Sequence, residues 1–267
     1  MKEMKIGILG ATGAVGQEMR KVLEEYQIPV SELRLLASAR SAGESVKFQG
    51  RDVVIREATD DSFEGLDYVL GAVEGDMSRR FAPAIKKSGA VYIDNSSAFR
   101  LEPDVPLVVP EINGEDALQN HGIIANPNCC TIIALMAVAG IAKLSPIENM
   151  VVCTYQAVSG AGQNGIRELE QQMKALAEGG KPEVRTFATQ IAMNVIPFID
   201  APYGNDYTKE EMKMQNEGRR ILHAPDLKVN CTCVRVPVMR SHSIAVTLKT
   251  AEKVSVEDAK AAVAAYP

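Results

Sequence analysis

The chain has 267 residues, 46% of them hydrophobic and 24% charged, enough apolar material for one large or two modest domains; this excludes a disordered chain. A formal net charge of −5 without a long Lys/Arg run excludes the basic face that a nucleic-acid partner requires. No apolar run reaches the ~18 residues of a membrane helix, and "MKEMKIGILG" lacks the h-region of a signal peptide, so a cytoplasmic protein is expected. Five cysteines, two of them adjacent and none spaced C-x-x-C, argue against a disulfide framework, a zinc ribbon or a redox pair. Reduced thiols and no resident metal are expected.

The first elements read as strand, tight turn, helix: "KIGILG", then "ATGAVG", then a pattern in which Met19, Val22 and Leu23 share a face. Gly10, Gly13 and Gly16 form G-x-x-G-x-x-G, a variant of the dinucleotide fingerprint, in which glycine lets the backbone approach a pyrophosphate and the helix N-terminus faces the anion. A glycine-rich turn without a ligand is the plain alternative. The next strand, "ELRLLAS", lacks the acidic residue that holds the ribose hydroxyls of NAD. It runs instead into "SARSAG", where Ser38, Arg40 and Ser41 are able to hydrogen-bond a phosphate, which favours NADP unless Arg40 is simply a solvated loop arginine. The apolar runs "GLDYVLGAV", "GAVYIDN" and "VPLVVPEIN" read as further strands, with a helix "MSRRFAPAIKKSG" between the first two. Strands alternating with helices predict a parallel sheet of Rossmann type.

The segment "NPNCCT" opens the second half. The helical stretch "TIIALMAVAGIAKL" follows, so Cys129 lies at a helix start, where unpaired N–H groups and the dipole favour a thiolate. Cys130 points about 100° away around the helix, into the core. A strand "MVVCTYQAVSGAG" carries Cys153, which reads as buried packing, and Gln156, equally compatible with a substrate amide contact or a surface glutamine. An amphipathic helix is predicted from Gly165 to Ala177. Thr208 and Glu211 form a capping box for the next helix, on which Glu210 and Lys213 share a face; a solvated ion pair is the plain reading. "LKVNCTCVRVPV" alternates as a half-buried strand of a second sheet, with Cys231, Cys233 and Arg235 on one face. A buried arginine needs an anion, and a substrate carboxylate is one candidate. Of three histidines, His121 in a loop and His223 at a helix end have structural explanations, whereas His242 sits between two strands among polar neighbours, as an acid/base near a thiol requires. A last helix is predicted in "SVEDAKAAVAAY".

The stretches "GATGAVG", "ASARSAG", "IDNSSAFR", "VPEIN", "NPNCCT", "TYQAVSGAG", "EEMK" and "RVPVMRSHS" occur in the order found in aspartate-β-semialdehyde dehydrogenases, and the chain resembles the NADP-using bacterial branch of that family. The resemblance implies an α/β fold: a Rossmann-type, parallel-sheet NADP-binding domain over residues 1–127, and an α+β catalytic and dimerisation domain with a mixed sheet over residues 128–267. It implies NADP-dependent reductive dephosphorylation of L-aspartyl 4-phosphate to L-aspartate 4-semialdehyde through a cysteine thioester, in the biosynthesis of lysine (with diaminopimelate), threonine and methionine, by a homodimer or homotetramer. Cys129 is then the nucleophile, Gln156 orients the acyl group and His242 is the acid/base. Arg235 holds the substrate carboxylate, Glu210 its amino group, Arg100 and Lys213 the phosphate, and Asn128 lies in the substrate site. The cofactor falls to Gly10, Thr12, Gly13, Ala14, Val15, Gly16, Ser38, Arg40 and Ser41, with Ser159 and Gly160 from the second half.

The chain departs from the family pattern at three places. Cys130 stands where relatives have serine or threonine. "GAVEG" replaces a glycine-rich turn and brings Glu74 towards the expected pyrophosphate. The family continues past the position of Pro267, which implies a second domain incomplete at its C-terminal end. Two other readings share many of the same residues: N-acetyl-γ-glutamyl-phosphate reductase, against which the Glu210 amine contact argues, and a non-catalytic nucleotide-binding remnant.

Overall fold

The computed structural model describes residues 3–266, and the chain divides into two compact units, Met1–Val108 with Gly114–Pro127, and Val109–Asn113 with Asn128–Pro267. In the first unit, β1 (Met4–Leu9) leads through the glycine turn into α1 (Ala14–Glu25). Then come β2 (Val30–Ala37), β3 (Ser45–Phe48), β4 (Arg51–Glu57), β5 (Tyr68–Gly71), α2 (Gly75–Lys87), β6 (Val91–Asp94) and β7 (Ile123–Ala125). Among the described residues they form a seven-stranded sheet in the order β3-β4-β2-β1-β5-β6-β7, parallel except for β3. The order of the strands reverses between β1 and β5, the place where an open parallel sheet leaves a crevice at the carboxyl ends of its strands.

β1 is nearly continuously apolar because both faces of the sheet are covered. Its pleat sends Ile6 and Ile8 towards Leu23, Leu35 and Ile55 on one side, and Leu9 towards Phe63, Val69, Phe81 and Tyr92 on the other. The turn after β1 leaves no room for side chains. Gly10 has φ +87°, and a Cβ there would run into the carbonyl of Ala72, while a Cβ on Gly16 would strike the Gly10 carbonyl. Two expectations change in this unit. "VPLVVPEIN" is not a strand: Leu107 makes one bridge to Ala125, and Pro110–Asn113 forms a single helical turn. Pro106 and Pro110 lack the N–H groups that a ladder needs. Conversely, "SVKFQGRDVVIRE" forms the β3–β4 hairpin, turned by Gln49 and Gly50, both at positive φ.

The second unit contains α3 (Pro110–Asn113), α4 (Cys129–Ala142), β8 (Ile147–Gln156), α5 (Gly162–Ala177), α6 (Lys209–Ile221), β9 (Lys228–Arg235), β10 (Ser243–Thr250) and α7 (Val256–Ala264). A mixed three-stranded sheet runs β10-β8-β9, with β8 parallel to β9 and antiparallel to β10. α4 is apolar around most of its circumference because α6, α7 and the sheet surround it. α5 begins three residues earlier than expected, at Gly162, whose φ of +71° allows the turn into the helix. Cys153 is half-buried rather than core: Val152, Thr154 and Gln156 face inward, so strand parity places Cys153 with exposed Val151 and Tyr155. No helix among the described residues is long and apolar enough to cross a membrane.

The two glycine requirements are separable. Gly43 also has positive φ, +93°, but open space around it. In urea unfolding, Gly43→Ala should cost about 1–2 kcal/mol for the left-handed backbone alone, and Gly10→Ala about 2–4 kcal/mol because overpacking adds to the strain.

Candidate active site

The topology of the second unit places its chemistry at one sheet edge. β8 and β9 run parallel with Gln156 and Arg235 in register, so both reach the same end; β10 runs back from that end, with His242 immediately before it. α4 starts with Cys129, and α6 contributes Glu210 from its first turn and Lys213 one turn on, the helix start being fixed by the Thr208/Glu211 capping box.

Asn128 is the N-cap of α4, and its Oδ1 accepts from the N–H groups of Cys130 at 2.9 Å and Thr131 at 3.3 Å. These N–H groups, expected to face the thiolate, are thus occupied. The other end of the amide donates to Glu210 Oε1 at 2.9 Å, and the Asn128 backbone N–H donates to Glu217 Oε2 at 2.7 Å. Glu210 also accepts from Gln156 Nε2 at 3.2 Å and from Lys213 Nζ at 2.9 Å. Burial pushes the Glu210 carboxyl up, but the Lys213 charge and these hydrogen bonds outweigh it and hold the group below the ordinary glutamate value. Burial likewise opposes the charge on Lys213, and Glu210 together with Asp200, whose Oδ2 lies 2.9 Å from Nζ, restores it and more. The pair read as solvated is therefore internal on the glutamate side, where the side chain is 8% exposed. Arg235 is buried, and its Nη1 donates to the Ala157 carbonyl at 2.8 Å and to Gln156 Oε1 at 3.5 Å. A Cβ on Gly160 would come within 2.7 Å of that Nη1, so the Ser159–Gly160 turn lies directly against the guanidinium.

The two adjacent cysteines are chemically unequal. Cys129 is exposed and Cys130 is fully buried. The Cys129 thiol is lowered to about 5, first by a hydrogen bond from Cys130 and then by one from His242, against the opposing effect of burial. Cys130 is pushed the other way by its role as donor to that thiolate and by burial. Cys231 and Cys233 lie buried with their sulfurs 3.7 Å apart on the inner face of β9, as parity predicts.

The ligand atoms of Cys129, Cys130 and His242 lie within 4.8 Å of one another, as a soft metal ion would require. The histidine is wrongly disposed for one. Its Nδ1 accepts the Ala157 N–H at 3.0 Å, so the proton of the neutral ring sits on Nε2. A metal-bound imidazole does the reverse, donating through its second nitrogen. The arrangement instead gives the thiolate a fixed donor.

In the first unit a cavity of about 470 Å³ opens at the carboxyl ends of the strands, lined by Gly10, Thr12, Gly13 and Ser38 together with Glu57, Val73 and Arg80. Gly10 and Gly16 leave the close backbone cradle that a pyrophosphate needs, so the residues present suit a dinucleotide. Ala14, Val15 and Gly16 form the first turn of α1, and Arg40 and Ser41 a 3₁₀ turn just after Ser38. Glu74 stands at the N-terminal end of α2, outside the cavity lining. Arg100, also in this unit, is buried and donates to the carbonyls of Asn126 at 2.9 Å and Asn95 at 2.8 Å. The sequence analysis names none of Glu57, Arg80 and Asp200: no motif marks the hairpin strand that carries Glu57, Arg80 lies on a predicted helix without a binding signature, and Asp200 sits in a stretch rich in turn residues.

The profile of the semialdehyde dehydrogenase NAD-binding domain matches residues 5–121, and that of the semialdehyde dehydrogenase dimerisation domain matches residues 138–267. The aspartate-semialdehyde dehydrogenase of Synechocystis sp. is 47% identical over 264 residues, 99% of this chain and 78% of the relative. The chain belongs to the aspartate-semialdehyde dehydrogenase family. The crystal structure of aspartate semialdehyde dehydrogenase II from Vibrio cholerae, complexed with ASA, superposes with a TM-score of 0.96 at 42% identity, covering 100% of this chain and 80% of that one. A Candida albicans aspartate semialdehyde dehydrogenase with NADP matches with a TM-score of 0.70 at 25% identity, covering 98% and 76%. Membership in an aspartate-semialdehyde dehydrogenase family agrees with the α/β architecture and with a nicotinamide dinucleotide as the occupant of the first unit's crevice.

The Cys130 hydrogen bond has a direct test. Alkylation of Cys129 followed against pH should show a midpoint near 5 in the native protein and in Cys130→Ser, which keeps a donor. In Cys130→Ala the midpoint should rise by about one to two pH units, the worth of one hydrogen bond to a charged group.

Proposed function

We propose that the chain catalyses the NADP-dependent reductive dephosphorylation of L-aspartyl 4-phosphate to L-aspartate 4-semialdehyde, with residues 1–127 binding the cofactor and residues 128–267 carrying catalysis and dimerisation. The observation that carries this reading is a stabilised Cys129 thiolate beside a histidine donor, with one buried carboxylate and one buried guanidinium in the same unit.

In this mechanism the Cys129 thiolate attacks the acyl phosphate and forms a thioester, while phosphate departs against Lys213 and Arg100. Arg235 takes the substrate carboxylate, for which its buried guanidinium supplies a planar donor fork. Glu210 takes the ammonium group, and Gln156, held by its contact with Glu210, orients the acyl group. Bound nicotinamide would supply the hydride that reduces the thioester. His242, with its ring proton on Nε2, donates to the resulting oxyanion and keeps that proton when the carbonyl re-forms and the thiolate leaves. In this reading His242 stabilises the oxyanion by a hydrogen bond and transfers no proton, in place of the expected acid/base role. Ser38, Arg40 and Ser41 would hold the 2′-phosphate that separates NADP from NAD; Gly10, Thr12, Gly13 and the first turn of α1 would hold the pyrophosphate. Ser159 and Gly160 would meet the cofactor from the second unit.

A buried, ionised Glu210 favours a free amine on the substrate over an acetylated one, which supports aspartyl phosphate over N-acetyl-γ-glutamyl phosphate. The reading includes a cytoplasmic homodimer or homotetramer in the route to diaminopimelate, lysine, threonine and methionine.

Phosphate-dependent NADPH formation from aspartate semialdehyde tests the reaction in reverse. Cys129→Ser should lower it by about three orders of magnitude or more while NADPH binding persists; a binding remnant would show no turnover even before substitution. Arg40→Ala should raise KM for NADP by about ten- to a hundred-fold, the loss of a charge-assisted phosphate contact, and leave KM for NAD within a factor of two or so.

A further inference from the structure

The Lys213 ammonium lies between two carboxylates, Glu210 Oε2 and Asp200 Oδ2, each at 2.9 Å. The two are not equivalent. Glu210 is buried and already holds Asn128 and Gln156, so a substrate ammonium arriving at Glu210 competes with Lys213 for the same oxygens. Asp200 has no such second duty. Its Oδ1 accepts the N–H of the next residue, Ala201, at 2.7 Å, which leaves Oδ2 aimed at Lys213. The backbone supports this aim at some cost: Asp200 has φ +70°, a left-handed conformation uncommon outside glycine and concentrated at functional sites. The segment is also tied to the helix that carries Lys213, by the Lys209 N–H to Ala201 carbonyl bond at 2.8 Å and the Pro202–Thr208 bridge. Asp200 and Lys213 thus belong to segments joined by backbone hydrogen bonds as well as by their own ion pair.

We propose that Asp200 is a positioning residue, which keeps the Lys213 ammonium at the phosphate position once a substrate ammonium has taken Glu210. This rests on the reading of Lys213 as a phosphate ligand. A surface ion pair serving stability alone would leave phosphate kinetics untouched.

The test is steady-state kinetics in the phosphate-dependent direction, with calorimetric titration of inorganic phosphate into protein saturated with L-aspartate, whose ammonium occupies Glu210, as a measure independent of turnover. Asp200→Asn tolerates the left-handed backbone, and Asp200→Gly relieves it, so at least one variant is expected to fold normally in thermal unfolding. Both should raise KM and Kd for phosphate by about five- to ten-fold, with kcat within about two-fold and KM for the cofactor unchanged. Asp200→Glu should recover most of the loss. Unchanged or tighter phosphate binding in Asp200→Asn and Asp200→Gly overturns the proposal, as does a fall in kcat with every KM constant. Lys213→Ala separates the two layers: if it leaves the phosphate KM unchanged, the assignment of Lys213 fails; if it raises that KM and the Asp200 variants do not, the role of Asp200 alone fails.

Discussion

The second unit is organised around one side chain that satisfies two opposed needs, the amide of Asn128. Its oxygen caps α4, and its nitrogen, 2.9 Å from Glu210, ties the start of that helix to the start of α6. A buried carboxylate is costly unless it is paired and hydrogen-bonded. Glu210 meets that condition through Asn128, Gln156 and Lys213, three donors from three different elements. Each of these elements therefore has its position set by the same charge. The nucleophile inherits this rigidity, because Cys129 follows directly on the cap.

The thiolate in turn depends on donors that side chains supply, since its helix N–H groups are taken. Cys130 and His242 are those donors, and their geometry follows from separate constraints. Cys130 is driven inward by helix periodicity, and His242 is fixed because a backbone amide claims its Nδ1. A serine or threonine at position 130 would preserve the first donor. In the first unit the controlling constraint is steric. Two glycines let the β1 turn, α1 and the segment after β5 pack backbone to backbone, and a side chain at either position would strike a main-chain carbonyl.

Much of this was legible from residue order. The β1 turn and α1, the helix start at Cys129, the capping box of α6 and the alternation of β9 all follow from local rules of periodicity, capping and glycine placement. The failures were equally local. Prolines at 106 and 110 broke a run that hydrophobicity alone read as a strand, and a charged hairpin passed unnoticed because its strands bury little apolar surface. Cys153 departs from the burial common for cysteine because strand parity, not residue type, sets which side it faces. Glu57, Arg80 and Asp200 gave no signal at all, since each acquires its neighbours only through pairing or packing between distant segments.

The amino-acid sequence by itself determined the two-part α/β architecture, the dinucleotide-type turn and the family, because these rest on short local patterns and on their order along the chain. Only the tertiary structure decided the charge and proton inventory of the candidate site. That Glu210 is buried and ionised, that Lys213 meets Asp200 as well as Glu210 and that His242 presents Nε2–H all depend on contacts between residues separated by 13 to 85 positions in the chain. Electrostatic energies depend on distance and burial, and neither is set until the chain has folded.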